Sequence, residues 1–221
     1  MINELYTIGY SGYSIEDFLT EIKKHTISAV IDIRSIPYSK YHLDYNKETL
    51  KAFLKANGIL YRNYAKEFGA QQNNREFYST HGYLDFDIFT KSDNFLSGVE
   101  KLCAGMSKGY SFVLMCSEKD PINCHRTIMV AREFNKNGYS IIHLLPNHDK
   151  QSQNDIEVRM LENYYPNRHQ ITLFESKILT NQDMIDLSYK RRNAEIAYSM
   201  EDEEDDTAYN RVYQKNSTAV L

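Results

Sequence analysis

Tryptophan is absent from the 221 residues, and cysteine occurs only three times, as Cys103, Cys116 and Cys124. Three is an odd number and too few for a disulfide framework, so the core must be made by burial alone. No apolar run approaches the roughly 18 residues of a membrane helix, and Met1 to Tyr10 does not read as a secretion signal. An excess of positive charge is also missing: 26 Lys and Arg face 30 Asp and Glu, net -4. The whole chain therefore offers no bulk attraction for nucleic acid, which leaves only a local groove. Together these absences read as a reduced, cytoplasmic protein without a membrane partner. The length suffices to bury roughly two-thirds of the surface that the unfolded chain exposes. In place of tryptophan there are 18 tyrosines, whose polar-tipped rings suit wet-edged packing and also stacking on planar ligands.

Local patterns alternate between strand and helix. Leu5 to Gly9 reads as a strand, and Ser14 caps an amphipathic helix to about His25 through Ile15, Phe18, Leu19 and Ile22. The β-branched run Ile27 to Ile33 is a strand buried on both faces, which completes a βαβ unit. A helix over Lys47 to Asn57 and a strand over Ile59 to Tyr64 follow. Residues 65–91 have little regular pattern, and so long an excursion inside a domain is usually functional or mobile. A helix from Asp93 to Met106, a strand from Ser111 to Cys116, a helix from about Cys124 to Asn137 and a strand from Ser140 to Leu145 complete the series. This alternation predicts an α/β fold: a Rossmann-like, three-layer domain with a mainly parallel sheet of about five strands, plus a polar C-terminal extension. The domain is expected over residues 1–177, its core over 5–145. Residues 178–221 read as a charged, partly disordered tail containing the acidic run Glu201 to Asp206, despite a helical pattern over Asn181 to Met200. Deleting that tail is expected to leave the core folded.

Ligands of open α/β sheets bind at the carboxyl ends of strands, and three polar clusters fall there. Gly9-Tyr10-Ser11-Gly12 precedes a helix whose N-terminus offers amides to an anion. Asp32 and Arg34 alternate onto one face, either to position a phosphate or carboxylate or as a structural ion pair. The densest cluster runs from Cys116 through Glu118 to Cys124, His125 and Arg126. A thiol at a helix start beside His and Arg has reason for a lowered pKa, which would make Cys124 reactive. Two thiols and an imidazole are also plausible metal ligands, although C-x7-C-H fits no common zinc spacing, so no metal is assigned. The phosphatase and rhodanese loops need an arginine six residues after the nucleophile, where this chain has Ile122.

TIGYSG, DIRSIPYSKY and MCSEKDPINCHR, in this order, resemble the bacterial and archaeal domain of unknown function 488, over roughly Leu5 to Leu145. That family carries T-I-G-[HY]-S, D-[IV]-R and C-x-E-x-x-P-x-x-C-H-R. The chain departs from it near the third strand, where a glycine pair and arginine are usual and this chain has Phe68-Gly69-Ala70-Gln71, then Arg75. The resemblance implies a Rossmann-like domain with a pocket built from the three motifs, and supplies no reaction. By its motifs Cys116, Glu118, Cys124 and His125 are the candidate catalytic residues. Gly9, Tyr10, Ser11, Asp32, Arg34, Tyr38 and Arg126 are the candidate substrate-binding residues, with Arg126 holding an anion and the tyrosines flanking a planar group. Lys119 and Asp120 between them are secondary. The expected function is an enzyme acting on a phosphorylated or nucleotide-like small molecule, or on a nucleic-acid base. The alternatives are a metal or redox site at Cys116, Cys124 and His125, and a non-catalytic nucleic-acid-binding module. Cofactor and oligomeric state are left open.

Overall fold

The computed structural model describes residues 4–168 and 179–199. Among these residues six strands form one sheet in the order β3-β2-β4-β1-β5-β6: β1 Glu4–Gly9, β2 Ala29–Asp32, β3 Leu60–Asn63, β4 Phe112–Cys116, β5 Ser140–Leu144 and β6 Lys150–Ser152. All pairs are parallel except β5 with β6. The mixed α/β, mostly parallel sheet is as expected, with two corrections. A sixth strand, β6, is three polar residues long and lies antiparallel at the edge, where pairing does not require an apolar run, so hydropathy gave no signal of it. The strand order also differs from the 3-2-1-4-5-6 of dinucleotide-binding folds.

Alternation along the strands divides the core between the two faces of the sheet. One face carries Tyr6, Ile8, Val30, Val113 and Met115 and is covered by α1 (Ile15–Lys24) through Phe18 and Ile22, and by α2 (Lys47–Ala56) through Leu50 and Leu54. Ser14 caps α1 by accepting from the Asp17 amide at 3.0 Å, as its spacing predicts. The opposite face carries Leu5, Ile31, Leu114 and Ile141. Against it lie α3 (Ala65–Phe68), α4 (Phe86–Phe89), α5 (Asp93–Ser107), the helix that follows β4, α7 (Gln153–Tyr164) and α8 (Asn181–Ile196). The irregular stretch 65–91 is thus two single-turn helices and a 3-10 turn, Arg75–Phe77, too short to leave a periodic signal.

Over the described residues 179–199 the chain forms a packed helix. α8 packs on α7 and buries Ser188, Tyr189 and Asn193. Its charges spread over every face, so no apolar stripe announced it; Tyr189 and Asn193 are its buried polar anchors. The Tyr189 hydroxyl reaches Glu157 at 2.9 Å and receives a bond from Gln153 at 2.7 Å. Asn193 caps the Leu84 carbonyl and the Phe86 amide. The acidic run Glu201 to Asp206 lies outside the described residues. Among the described residues no helix is long and apolar enough to cross a membrane.

A buried histidine ties the sheet to this docking. His143 lies between Thr7 Oγ1 at 2.8 Å and Gln153 Oε1 at 3.0 Å, and Gln153 in turn holds Tyr189. Burial, seconded by the charge of Arg126, pushes its pKa down to about 3. The unfolded chain therefore takes up a proton near pH 6.5 that the folded chain refuses until about pH 3, so stability is full above that window and falls as pH drops through it. His143→Gln should abolish about 2 kcal/mol of the stability lost between pH 7 and pH 5. Urea unfolding at the two pH values reads this directly, and equal losses in both proteins would contradict it.

Candidate functional site

The helices after β1 and β2 cover one face, while the connection after β4, which lies between them, crosses to the other. Adjacent strands whose connections diverge leave a crevice at their carboxyl ends, where α/β sheets bind ligands. In this protein the crevice is a cavity of about 420 Å³.

The β1 turn shapes its floor. Tyr10 and Ser11 donate amide bonds to the Cys116 and Ser117 carbonyls, both at 3.0 Å, which prolongs the β1–β4 pairing past the strands. A Cβ on Gly9 would stand 1.8 Å from the Glu118 carbonyl oxygen, so only glycine permits this approach. Tyr10 stacks on Tyr45 with ring centroids 4.3 Å apart.

Beyond β2, Asp32 and Arg34 share a face as their alternation requires, and they form a bidentate pair at 2.9 and 2.6 Å. Tyr61 donates to Asp32 at 2.7 Å and Arg34 donates to the Tyr45 carbonyl at 2.8 Å. Burial works against the Arg34 charge, but the bond to Asp32 and its charge more than restore it. Burial followed by the Asp32 charge pushes the Tyr61 phenol up. Arg34 lines the cavity, lies 5.0 Å from the Tyr10 ring centre, and keeps one nitrogen, Nη1, buried without a partner among the described residues. The ion pair thus leaves Arg34 one donor to spare.

The third cluster spans β4 and the following helix, which opens as a wide π-helical turn, Arg126–Ala131, before continuing as α6, Arg132–Lys136. π turns are uncommon and concentrate at functional sites. Both thiols point at one carboxylate oxygen: Cys116 Sγ lies 3.1 Å and Cys124 Sγ 3.0 Å from Glu118 Oε2, while Ser117 bonds Oε1 at 2.8 Å. His125 Nε2 meets the Ile33 carbonyl at 3.1 Å. A carbonyl only accepts, so Nε2 carries the proton and Nδ1 faces Cys116 Sγ, 3.8 Å away. Burial raises the Glu118 carboxyl, but the Cys124 bond, the His125 charge and the Cys116 bond outweigh it and bring the pKa to about 2. Burial likewise opposes the His125 charge and is outweighed by Cys124 and Glu118, for a net rise.

For Cys124 the helix-start expectation is reversed. Burial pushes its thiol well up, its bond with Cys116 adds to this, and Arg126 opposes only weakly. The dipole of a helix end acts within its first turn, but desolvation of an enclosed sulfur outweighs it. Arg126 is likewise not aimed at an anion in the cavity. It is completely buried, donates to the Glu118 carbonyl at 2.6 Å and the Lys119 carbonyl at 3.3 Å, and props the loop from below.

Of the predicted residues, Tyr10, Arg34, Tyr38, Cys116, Glu118, Cys124 and His125 line the cavity, and Gly9, Ser11, Asp32 and Arg126 do not. Lys119 and Asp120 face a second cavity, where Asp120 pairs with Arg159 at 2.7 Å. Sequence reasoning missed Ser35, Gln71, Asn123, and Ile196 at the end of α8 with Ala197 and Tyr198 just after it. The Gln71 amide bonds Ser35 Oγ at 2.8 Å, which draws the irregular excursion onto the site. Arg192 bonds Asn123 and the Ile122 carbonyl, which fastens α8 to the motif loop.

The family model described as "Domain of unknown function DUF488" matches residues 14–132. The matched region contains the Asp32–Arg34 and Cys116–Arg126 motifs, whereas Gly9, Tyr10 and Ser11 precede it. No curated protein and no solved structure matches the chain.

Proposed function

We propose, from the premise that the chain belongs to the domain of unknown function DUF488 family, that its carboxyl-edge cavity is the active site of an enzyme for a small anionic, phosphorylated or nucleotide-like molecule. The spare donor of Arg34 carries this reading. A buried guanidinium nitrogen without a partner costs free energy, and a substrate oxyanion entering the cavity would complete its bonding. The volume falls in the range of small-molecule sites. Tyr38, at the rim and 61% exposed, offers a ring for a planar group. Opposite Arg34, the Cys116, Glu118, Cys124 and His125 cluster supplies groups that take or give a proton at the bound molecule.

Calorimetric titration with nucleoside monophosphates tests this. Tyr38→Ala should weaken their binding about tenfold, the loss of one stacking contact, and leave inorganic phosphate binding as it was. Absence of any binding by phosphate or nucleotides at millimolar concentration would overturn the reading.

A further inference from the structure

The cluster contains more than a proton relay requires. Cys116 Sγ, Cys124 Sγ and a His125 ring nitrogen all lie within 4.8 Å of one another. A tetrahedral zinc site brings paired sulfurs to about 3.8 Å and a sulfur and a nitrogen to about 3.6 Å, given its bond lengths. The observed Cys116 Sγ to His125 Nδ1 distance is 3.8 Å, so a shift of about an ångström or less closes the set. The other His125 nitrogen already donates to the Ile33 carbonyl, which is how metal-bound imidazoles are oriented. Without a cation the arrangement is poor. Among the described residues Glu118 Oε2 has two thiols for hydrogen-bond partners, and thiols are weak donors.

We propose that Cys116, Cys124 and His125 hold a divalent cation of the zinc class, with Glu118 beside its open fourth position, facing the cavity. Binding exchanges the two thiol protons for the dication, so the charge of the site is unchanged with His125 neutral. The fourth position is then free for a water, and Glu118 is placed to take the proton that the water releases, leaving a bound hydroxide as nucleophile. Two cysteines and a histidine with a non-ligating glutamate are the donor set with which zinc deaminases activate water; the likeness is one of ligand chemistry only. The substrate class implied is a small anionic molecule open to hydrolytic attack, which rests on the reading of the cavity above; the metal site itself does not.

The full chain, purified under reducing conditions without added metal and dialysed, should hold about one zinc per chain by elemental analysis. After removal of that zinc, Co(II) should restore about one equivalent. Thiolate-to-cobalt charge transfer and intense visible bands would mark four-coordination. C116S and C124S should each lose at least nine-tenths of the bound metal, while E118Q keeps it. Alkylation of the wild-type chain needs no variant to fold: bound zinc should protect Cys116 and Cys124 together, until a chelator is added, while the half-buried Cys103 reacts in either state. Less than a tenth of an equivalent after reconstitution, or metal retained in both cysteine variants, would overturn the site. Full metal content with no nucleotide or phosphate binding would overturn the substrate reading alone.

Discussion

Arg126→Ala is expected to cost the protein about 3–5 kcal/mol, the range for emptying a packed volume and stranding buried polar groups. Arg126 is completely buried, and among the described residues it donates to two carbonyls, those of Glu118 and Lys119, and leaves Nε unpartnered. Its removal leaves both carbonyls without these donors and opens a void beneath Gly9, whose Cα packs against the same loop. At about 2–4 °C per kcal/mol for a chain of this size, the melting temperature should fall by about 10 °C. The Glu118 carboxylate would lose its anchored backbone, so metal and anion binding should weaken as a consequence. Arg126→Met separates the contributions: it refills most of the volume and should recover part of the stability but none of the loop's hydrogen bonds. Wild-type stability in Arg126→Ala with weakened anion binding would instead make this arginine the anion holder that its motif position suggests.

Truncation after residue 177 is expected to destabilise the domain by about 4 kcal/mol or more relative to a chain ending at residue 199. Burying a side chain of the size of Tyr189 is worth about 1.5–3 kcal/mol. Each of the Leu84 and Phe86 backbone groups that lose Asn193 adds about 1–3 kcal/mol if it stays buried. Arg132 loses both the Tyr189 ring, 4.0 Å from its guanidinium, and Asp186. The cavity also loses the wall formed by Ile196 to Tyr198. Urea unfolding of the two chains measures the first effect, and nucleotide titration the second. Equal midpoints would show α8 to be an appendage.

The sequence by itself determined the strands and helices whose apolar periodicity is strong. β4, and β2 up to its last residue Asp32, are continuous apolar runs because both of their faces are covered, and α1 starts after Ser14 because a serine oxygen satisfies a free amide. It also determined that the three polar motifs gather at one edge: segments directly after parallel strands end at the same side of the sheet by topology. The pairing of Asp32 with Arg34 followed from a period of two.

What a given polar residue does at that edge depended on directions and enclosure, which one-dimensional spacing does not encode. Arg34 and Arg126 look alike as strand-end and helix-start arginines. Only packing turned one toward the cavity and the other beneath the loop, each with one buried nitrogen unpartnered among the described residues. Cys124 stands where a helix dipole favours a thiolate, and full burial reverses the direction. The docking of α8 rests on scattered anchors, Tyr189 and Asn193 in the interior with Asp186 and Arg192 beside them, in a helix charged on every face. Periodicity registers a stripe and is blind to single anchors, so the helix that closes the cavity belonged to the tertiary structure alone.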